Sequence, residues 1–174
     1  MSTPTGPDDR LRAFGNELVE VHLWLREELA RLRDDVDAYV EDGAGRPRML
    51  RAHCLTFCEA IRRHHTGEDA DAFTALLSRF PELGDVIEQL RHDHEAVTGM
   101  LGNLESLLAR LDTGPAQDER VRDELDGISA LLESHFRYEE KRVVAALNAL
   151  DAPRWRESMP DFLRRDAPAA DSLP

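Results

Sequence analysis

The sequence predicts an all-α fold, an antiparallel up-down-up-down four-helix bundle. Three observations carry this expectation. Four stretches repeat apolar residues at alternating spacings of three and four, the seam of a packed helix. The breaks between them are short and rich in glycine and proline, so consecutive helices must fold back on one another. No stretch carries the apolar-polar alternation of a half-buried strand.

Residues 1–6 read as a loose N-terminal tail, and residues 7–150 as the bundle. The first helix is expected from Pro7 to Glu41, with proline in the first turn, where its missing N–H is not needed. Its seam is Leu18, His22, Leu25, Leu29, Leu32 and Val36, and Gly43-Ala44-Gly45 breaks it. The second runs from Pro47 to Arg79, with an irregularity at Thr66-Gly67 and a seam of Leu50, Cys54, Phe57, Ile61, His64 and Glu68. Phe80-Pro81 stops it.

The third helix, Glu82 to Asp112, is the most regular. Leu83, Ile87, Leu90, His94, Val97, Leu101, Leu104, Leu108 and Leu111 form an unbroken seam. Thr113-Gly114-Pro115 is a turn, and Asp118 reads as the N-cap of a fourth helix ending near Leu150. That helix aligns Leu125, Ile128, Leu132, His135, Glu139, Val143 and Ala146. Residues 151–174 form a Pro/Asp-rich tail, which Trp155 and Phe162 are expected to pin across one end of the bundle.

A chain of 174 residues is large enough to bury one core without disulfides. A net charge of -13 repels phosphate backbones and anionic lipid, so nucleic acid and membrane surfaces are excluded as partners. No apolar run approaches the ~20 residues of a membrane span, and Met1 to Asp9 lacks the features of an export signal. Cys54 and Cys58 stand one helical turn apart and read as small apolar residues, not a CxxC motif. A reduced cytoplasmic setting is expected, with the chain a monomer or weak homodimer.

Each seam carries a histidine where an apolar residue belongs, and in the second and fourth helices a glutamate follows at i+4. A buried, unpaired carboxylate costs several kcal/mol, so it pairs, protonates or binds metal. The six residues also share a level. His22 and His64 lie 22 and 20 residues from Ala44, and His94 and His135 lie 21 and 20 from Pro115. Glu68 and His94 each lie 13 residues from Pro81. At ~1.5 Å of rise per residue, these offsets place His22, His64, Glu68, His94, His135 and Glu139 in one layer.

The pattern repeats internally, with His22 to His94 spanning 72 residues and His64 to His135 spanning 71. Two hairpins, each offering His and then His-x-x-x-Glu, would build two metal positions side by side, with the carboxylates free to bridge. Imidazole with carboxylate suits iron, manganese, zinc or copper. Two carboxylates shared between two ions favour iron or manganese with an oxo or hydroxo bridge. A buried polar network without metal is the alternative.

Other histidines are read differently. His65 shadows His64 one step round the helix and would pair with Asp69, whereas the repeat selects His64. His92, two residues from His94, points elsewhere and reads as surface. His53 lies about three turns from His64 and reads as core or end layer. Glu140 and Asp69 are expected to face solvent or to orient a histidine through its other nitrogen. Tyr138 reads as surface or helix packing.

The motifs Val21-His22-Leu23, His64-His65-Thr66-Gly67-Glu68-Asp69, His92-Asp93-His94-Glu95 and His135-Phe136-Arg137-Tyr138-Glu139-Glu140 resemble the hemerythrin-like family, the HHE cation-binding domains, across residues 10–150. The resemblance implies a non-haem centre of two iron ions, with manganese or zinc as substitutes, and His22, His64, Glu68, His94, His135 and Glu139 as metal ligands. It also implies a small partner, a diatomic gas or peroxide.

One departure stands out. The family's oxygen carriers have five histidines, two of them one turn apart on the third helix. Here the matching positions are Thr98 or Leu90. The centre is therefore expected to be poorer in nitrogen and more open, suited to reacting with dioxygen, hydrogen peroxide or nitric oxide, with catalase- or peroxidase-like turnover or nitric oxide handling inside that class. An oxygen or iron sensing module and a reversible oxygen store are the alternatives.

Overall fold

The computed structural model describes residues 13–43 and 45–166, and among these the chain is all-helical. Helix α1 spans Phe14–Asp42, and the expected segment from Pro7 to Arg12 lies outside the described residues. Gly43 ends α1 in the left-handed conformation (φ 64°), and its N–H reaches back to the carbonyl of Tyr39. Glycine adopts this backbone without steric penalty.

Helix α2 spans Pro47–Gly67 and passes into a π-helical turn at Glu68–Ala72, followed by α3 at Phe73–Arg79. The irregularity expected at Thr66-Gly67 is this wider turn, a feature that concentrates at functional sites. Phe80 leaves the helical region (φ -130°, ψ 72°), as the residue before a proline must.

Helix α4 spans Gly84–Leu108, and its seam from Ile87 to Leu108 is buried as the spacing requires. Helix α5 spans Pro115–Asn148. Asp118 does not cap it. Pro115 already opens the helix, and the Asp118 carboxylate accepts the N–H of Asp112 at 3.0 Å, closing the preceding turn. Two short pieces follow, α6 at Pro153–Glu157 and a 3₁₀ turn at Asp161–Leu163.

Side-chain pairs set the directions of the long helices. Asn16 meets Asn148, Arg26 meets Glu140 and Glu133, Arg33 meets Asp126, and Glu41 meets Arg122. Numbers rise along α1 as they fall along α5, so these two run oppositely. At Gly15 helix α1 approaches α5 so tightly that a Cβ would sit 2.2 Å from the Val144 carbonyl oxygen. A larger residue there would force α1 off its partner.

Cys54 and Cys58 are free and buried, and burial pushes both thiols up to about 12, so they behave as apolar filler. No helix among the described residues is long and apolar enough to cross a membrane.

Candidate metal centre

Among the described residues, seven histidines and glutamates lie buried in the core: His22, His64, His65, Glu68, His94, His135 and Glu139. All six residues singled out by the seam pattern are among them. They fall into two groups, His65 with Glu68, His94 and His135, and His22 with His64 and Glu139. Within each group the candidate ligand atoms lie within 4.8 Å of one another.

The two groups touch through their carboxylates. Glu68 Oε1 lies 3.6 Å from His94 Nε2 and 3.0 Å from His64 Nε2. Glu139 lies 3.2 Å from His135 Nε2 and 3.7 Å from His22 Nε2. Each glutamate thus stands between an imidazole of one group and an imidazole of the other. The Nε2 atoms of His94 and His135 approach to 3.2 Å.

The donor set fits metal ions on the ground of what it lacks. Nε2 of His22, His64 and His65, Oε1 of Glu68, and both carboxylate oxygens of Glu139 are buried without a hydrogen-bond partner. Native cores pair such atoms almost without exception. Here the unpaired atoms converge, which is the arrangement a cation resolves.

The opposite ring nitrogens are held from outside. His94 Nδ1–H donates to Asp69 at 2.9 Å, and His135 Nδ1–H donates to Asp93 at 3.1 Å. His64 Nδ1–H donates to the Phe162 carbonyl oxygen at 2.8 Å. His22 Nδ1 lies 3.7 Å from Glu140, a longer approach. Glu140 is itself held by Arg26 at 3.0 Å. Such outer partners fix the tautomer and aim Nε2 inward. The expectation that these carboxylates orient histidines holds for Asp69, which serves His94 and not His65, whereas His22 Nδ1 makes no hydrogen bond to Glu140.

Protonation follows burial and neighbours. Burial lowers His22, lowers His64 to about 4 and lowers His65 well below its ordinary value, so their lone pairs are free. Burial raises Glu139 and raises Glu68 to about 7. Burial acts against the charged form of His135, but Glu139, Glu68 and Asp93 outweigh it and raise that imidazole to about 9. Without a cation, the centre therefore retains protons; a bound cation would displace them.

Three readings from the sequence need correction. His65 is not a shadow of His64: it is 4% exposed, stacks on His94 at 3.9 Å between ring centroids, and joins a donor group. The centre is consequently not poor in nitrogen, because five imidazoles surround it. His53 belongs to neither core nor end layer. It is half-buried and bonded to the exposed Asp35 at 2.9 Å.

The sequence held one signal for His65. It stands three residues before Glu68 and so shares a face with it as His64 does at four. Asp93 and the Phe162 carbonyl also went unread. His92 is exposed, as expected, and Tyr138 packs half-buried against the core. Thr98 is exposed and Leu90 is core, so α4 contributes His94 alone to the cluster.

Comparison with known proteins points the same way. The model of the hemerythrin HHE cation binding domain matches residues 14–147, most of the chain and all seven buried donors. No curated protein and no solved structure gives a significant match.

Proposed function

This chain belongs to the hemerythrin HHE cation-binding family, and from that premise we propose that it holds two metal ions, iron above all, and binds and reacts with a small oxidant there. The helices form the antiparallel up-down-up-down four-helix bundle of that reading. His65, Glu68, His94 and His135 hold one ion, and His22, His64 and Glu139 hold the other. The observation that carries it is the set of buried, unpaired donor atoms converging in two adjoining groups, with a glutamate spanning each junction.

When bound, two adjacent redox-active ions would supply the electrons that dioxygen or peroxide chemistry demands. The chain's own groups do the rest. Asp69, Asp93 and the Phe162 carbonyl orient three imidazoles, and Glu140 faces a fourth. Phe136 stacks on His22 at 4.1 Å and keeps water from that side. Beyond Phe136, a groove of about 140 Å³ between α1 and α5, lined by Arg26, Leu29 and Leu132, leads to solvent.

The test is anaerobic reconstitution with ferrous iron, followed by metal analysis and optical spectra on adding dioxygen, peroxide or nitric oxide. Two ions per chain and a spectral change with at least one of the three are expected. A colourless protein inert to all of them would overturn the oxidant reading. A second reading, reversible dioxygen storage, gains support from the fifth imidazole. Dioxygen recovered intact under vacuum favours storage, whereas dioxygen evolved from peroxide favours turnover.

A further inference from the structure

We propose that residues 153–166 are a working part of the metal centre: a C-terminal strap whose Phe162 carbonyl positions His64 and thereby controls how firmly the ion of the His22–His64–Glu139 group is held. The proposal rests on the two-ion reading above. The strap lies wholly beyond residues 14–147, the span shared with the family.

Several independent features seat it. Phe162 is fully buried and Leu163 is 3% exposed, although both sit in a short turn with no regular secondary structure on either side. Trp155 meets Phe14 and Phe162 edge-on at 4.9 and 5.2 Å, tying the strap to the start of α1. Arg63 donates to the Asp166 carbonyl oxygen, and Arg165 faces Glu20 at 3.8 Å. Gly67 leaves room for the strap: a Cβ there would lie 2.8 Å from the Phe162 nitrogen. Its helical backbone (φ -64°) suits any residue, so what requires glycine is this close approach.

The chemistry of the contact is specific. His94 and His135 lean on carboxylates, and His22 faces one. His64 alone among these four has a neutral carbonyl as its Nδ1 partner. A carbonyl polarises the ring less than a carboxylate, so His64 is the weaker donor and depends more on correct aim. The segment that aims it is held by side chains, not by a helix, and can be released without unfolding the long helices. In the His65 group, His94 and His135 take their Nδ1 partners from Asp69 and Asp93, which lie outside the strap.

The experiment uses the full chain, reconstituted with iron, and two lesions, Gly67→Ala and Phe162→Ala, with Gly102→Ala as a control whose Cβ meets nothing within 4 Å. Trypsin cutting at Arg164 and Arg165 reports whether the strap has lifted, cutting at Arg48 serves as the internal reference, and far-UV circular dichroism reports the helices. Both lesions are expected to speed strap cleavage and to release one ion of two to a chelator at least ten-fold faster, with helix content unchanged. Phe162→Leu, which keeps the apolar anchor, is expected to restore slow release.

The unaltered protein gives a check that needs no variant. Because linkage is reciprocal, metal loading must slow strap cleavage relative to the Arg48 site. Strap cleavage insensitive to metal, or a lifted strap with both ions released as in the unaltered chain, overturns the proposal while leaving the two-ion centre standing. An unaltered chain that takes up no metal overturns both.

Discussion

The two hairpins of this protein differ at one decisive position. The first presents His64-His65-x-x-Glu68, and the second presents His135-Phe136-x-x-Glu139. In both, the first histidine and the glutamate face the centre. In the first hairpin the adjacent side chain is an imidazole stacked on His94, whereas in the second it is a phenyl ring stacked on His22. A repeated histidine-and-glutamate pattern therefore carries an unequal pair of donor groups, three imidazoles against two. The richer group is closed by its own ligands. The poorer one borders Phe136, the groove behind it and the C-terminal strap. The sequence repeat offers both groups, and a single residue pair sets their inequality.

The comparison breaks most completely if the shared carboxylates are removed. Glu68→Ala takes a donor from the junction of both groups and leaves the His64 and His94 rings without a neighbour between them. Metal content is expected to fall from two ions per chain to one at most, measured by elemental analysis after desalting. Retention of both ions would show that Glu68 does not bridge.

The inequality itself is tested by exchanging its two residues. His65→Phe should weaken one ion on the order of a hundredfold or more, at or above the loss caused by removing an outer partner of a ligand. Phe136→His should instead reduce the binding of azide or nitric oxide, by filling the position next to His22. Titrations followed optically distinguish these outcomes, and equal effects of both changes would sink the proposed difference between the groups.

The metal-free protein should reveal the centre through pH. Glu68, raised to about 7, and His135, raised to about 9, hold protons more tightly folded than unfolded. Stability from those protons is present below the unfolded values and is lost as pH rises through the folded ones. His22, His64 and His65 are lowered and act in the opposite sense, but their effect is complete by about pH 6.5, the unfolded value for histidine. The melting temperature of the metal-free chain is therefore expected to fall by a few degrees between about pH 6.5 and 9. Metal loading should flatten this slope, because the ions replace the protons. A metal-free melting temperature that rises over this window would contradict the assignment.

The smallest effect is expected from Thr98→His, which restores a second histidine to α4 one turn from His94. Thr98 is exposed, so the new ring should leave metal stoichiometry and optical spectra unchanged. A change would mean that α4, and not α2, offers the place for the fifth imidazole.

Legibility in the sequence followed the range of the interaction. The helices, their breaks and the common level of His22, His64, Glu68, His94, His135 and Glu139 were readable because helical period and rise are local rules. The wide turn at Glu68–Ala72 was readable only as an irregularity, since glycine marks a place where the helix changes without stating how. The place of His65 is not legible from the internal repeat, because the repeat fails at the pair His65 and Phe136. The cap assigned to Asp118 failed because Pro115 opens the helix earlier and leaves that carboxylate to the preceding turn.

The sequence by itself determined that this chain is helical and that imidazoles and carboxylates share one buried layer, because each helix aligns its own residues every three or four positions. Tertiary structure alone decided which nitrogen each imidazole turns inward, and which group holds it there. Asp69 reaches His94 across 25 residues, Asp93 reaches His135 across 42, and the Phe162 carbonyl reaches His64 across 98. No period runs across such distances. The last contact belongs to a single 3₁₀ turn beyond the long helices, seated by aromatic rings, by polar contacts of Arg63 and Arg165, and by the bare Gly67 surface it packs against.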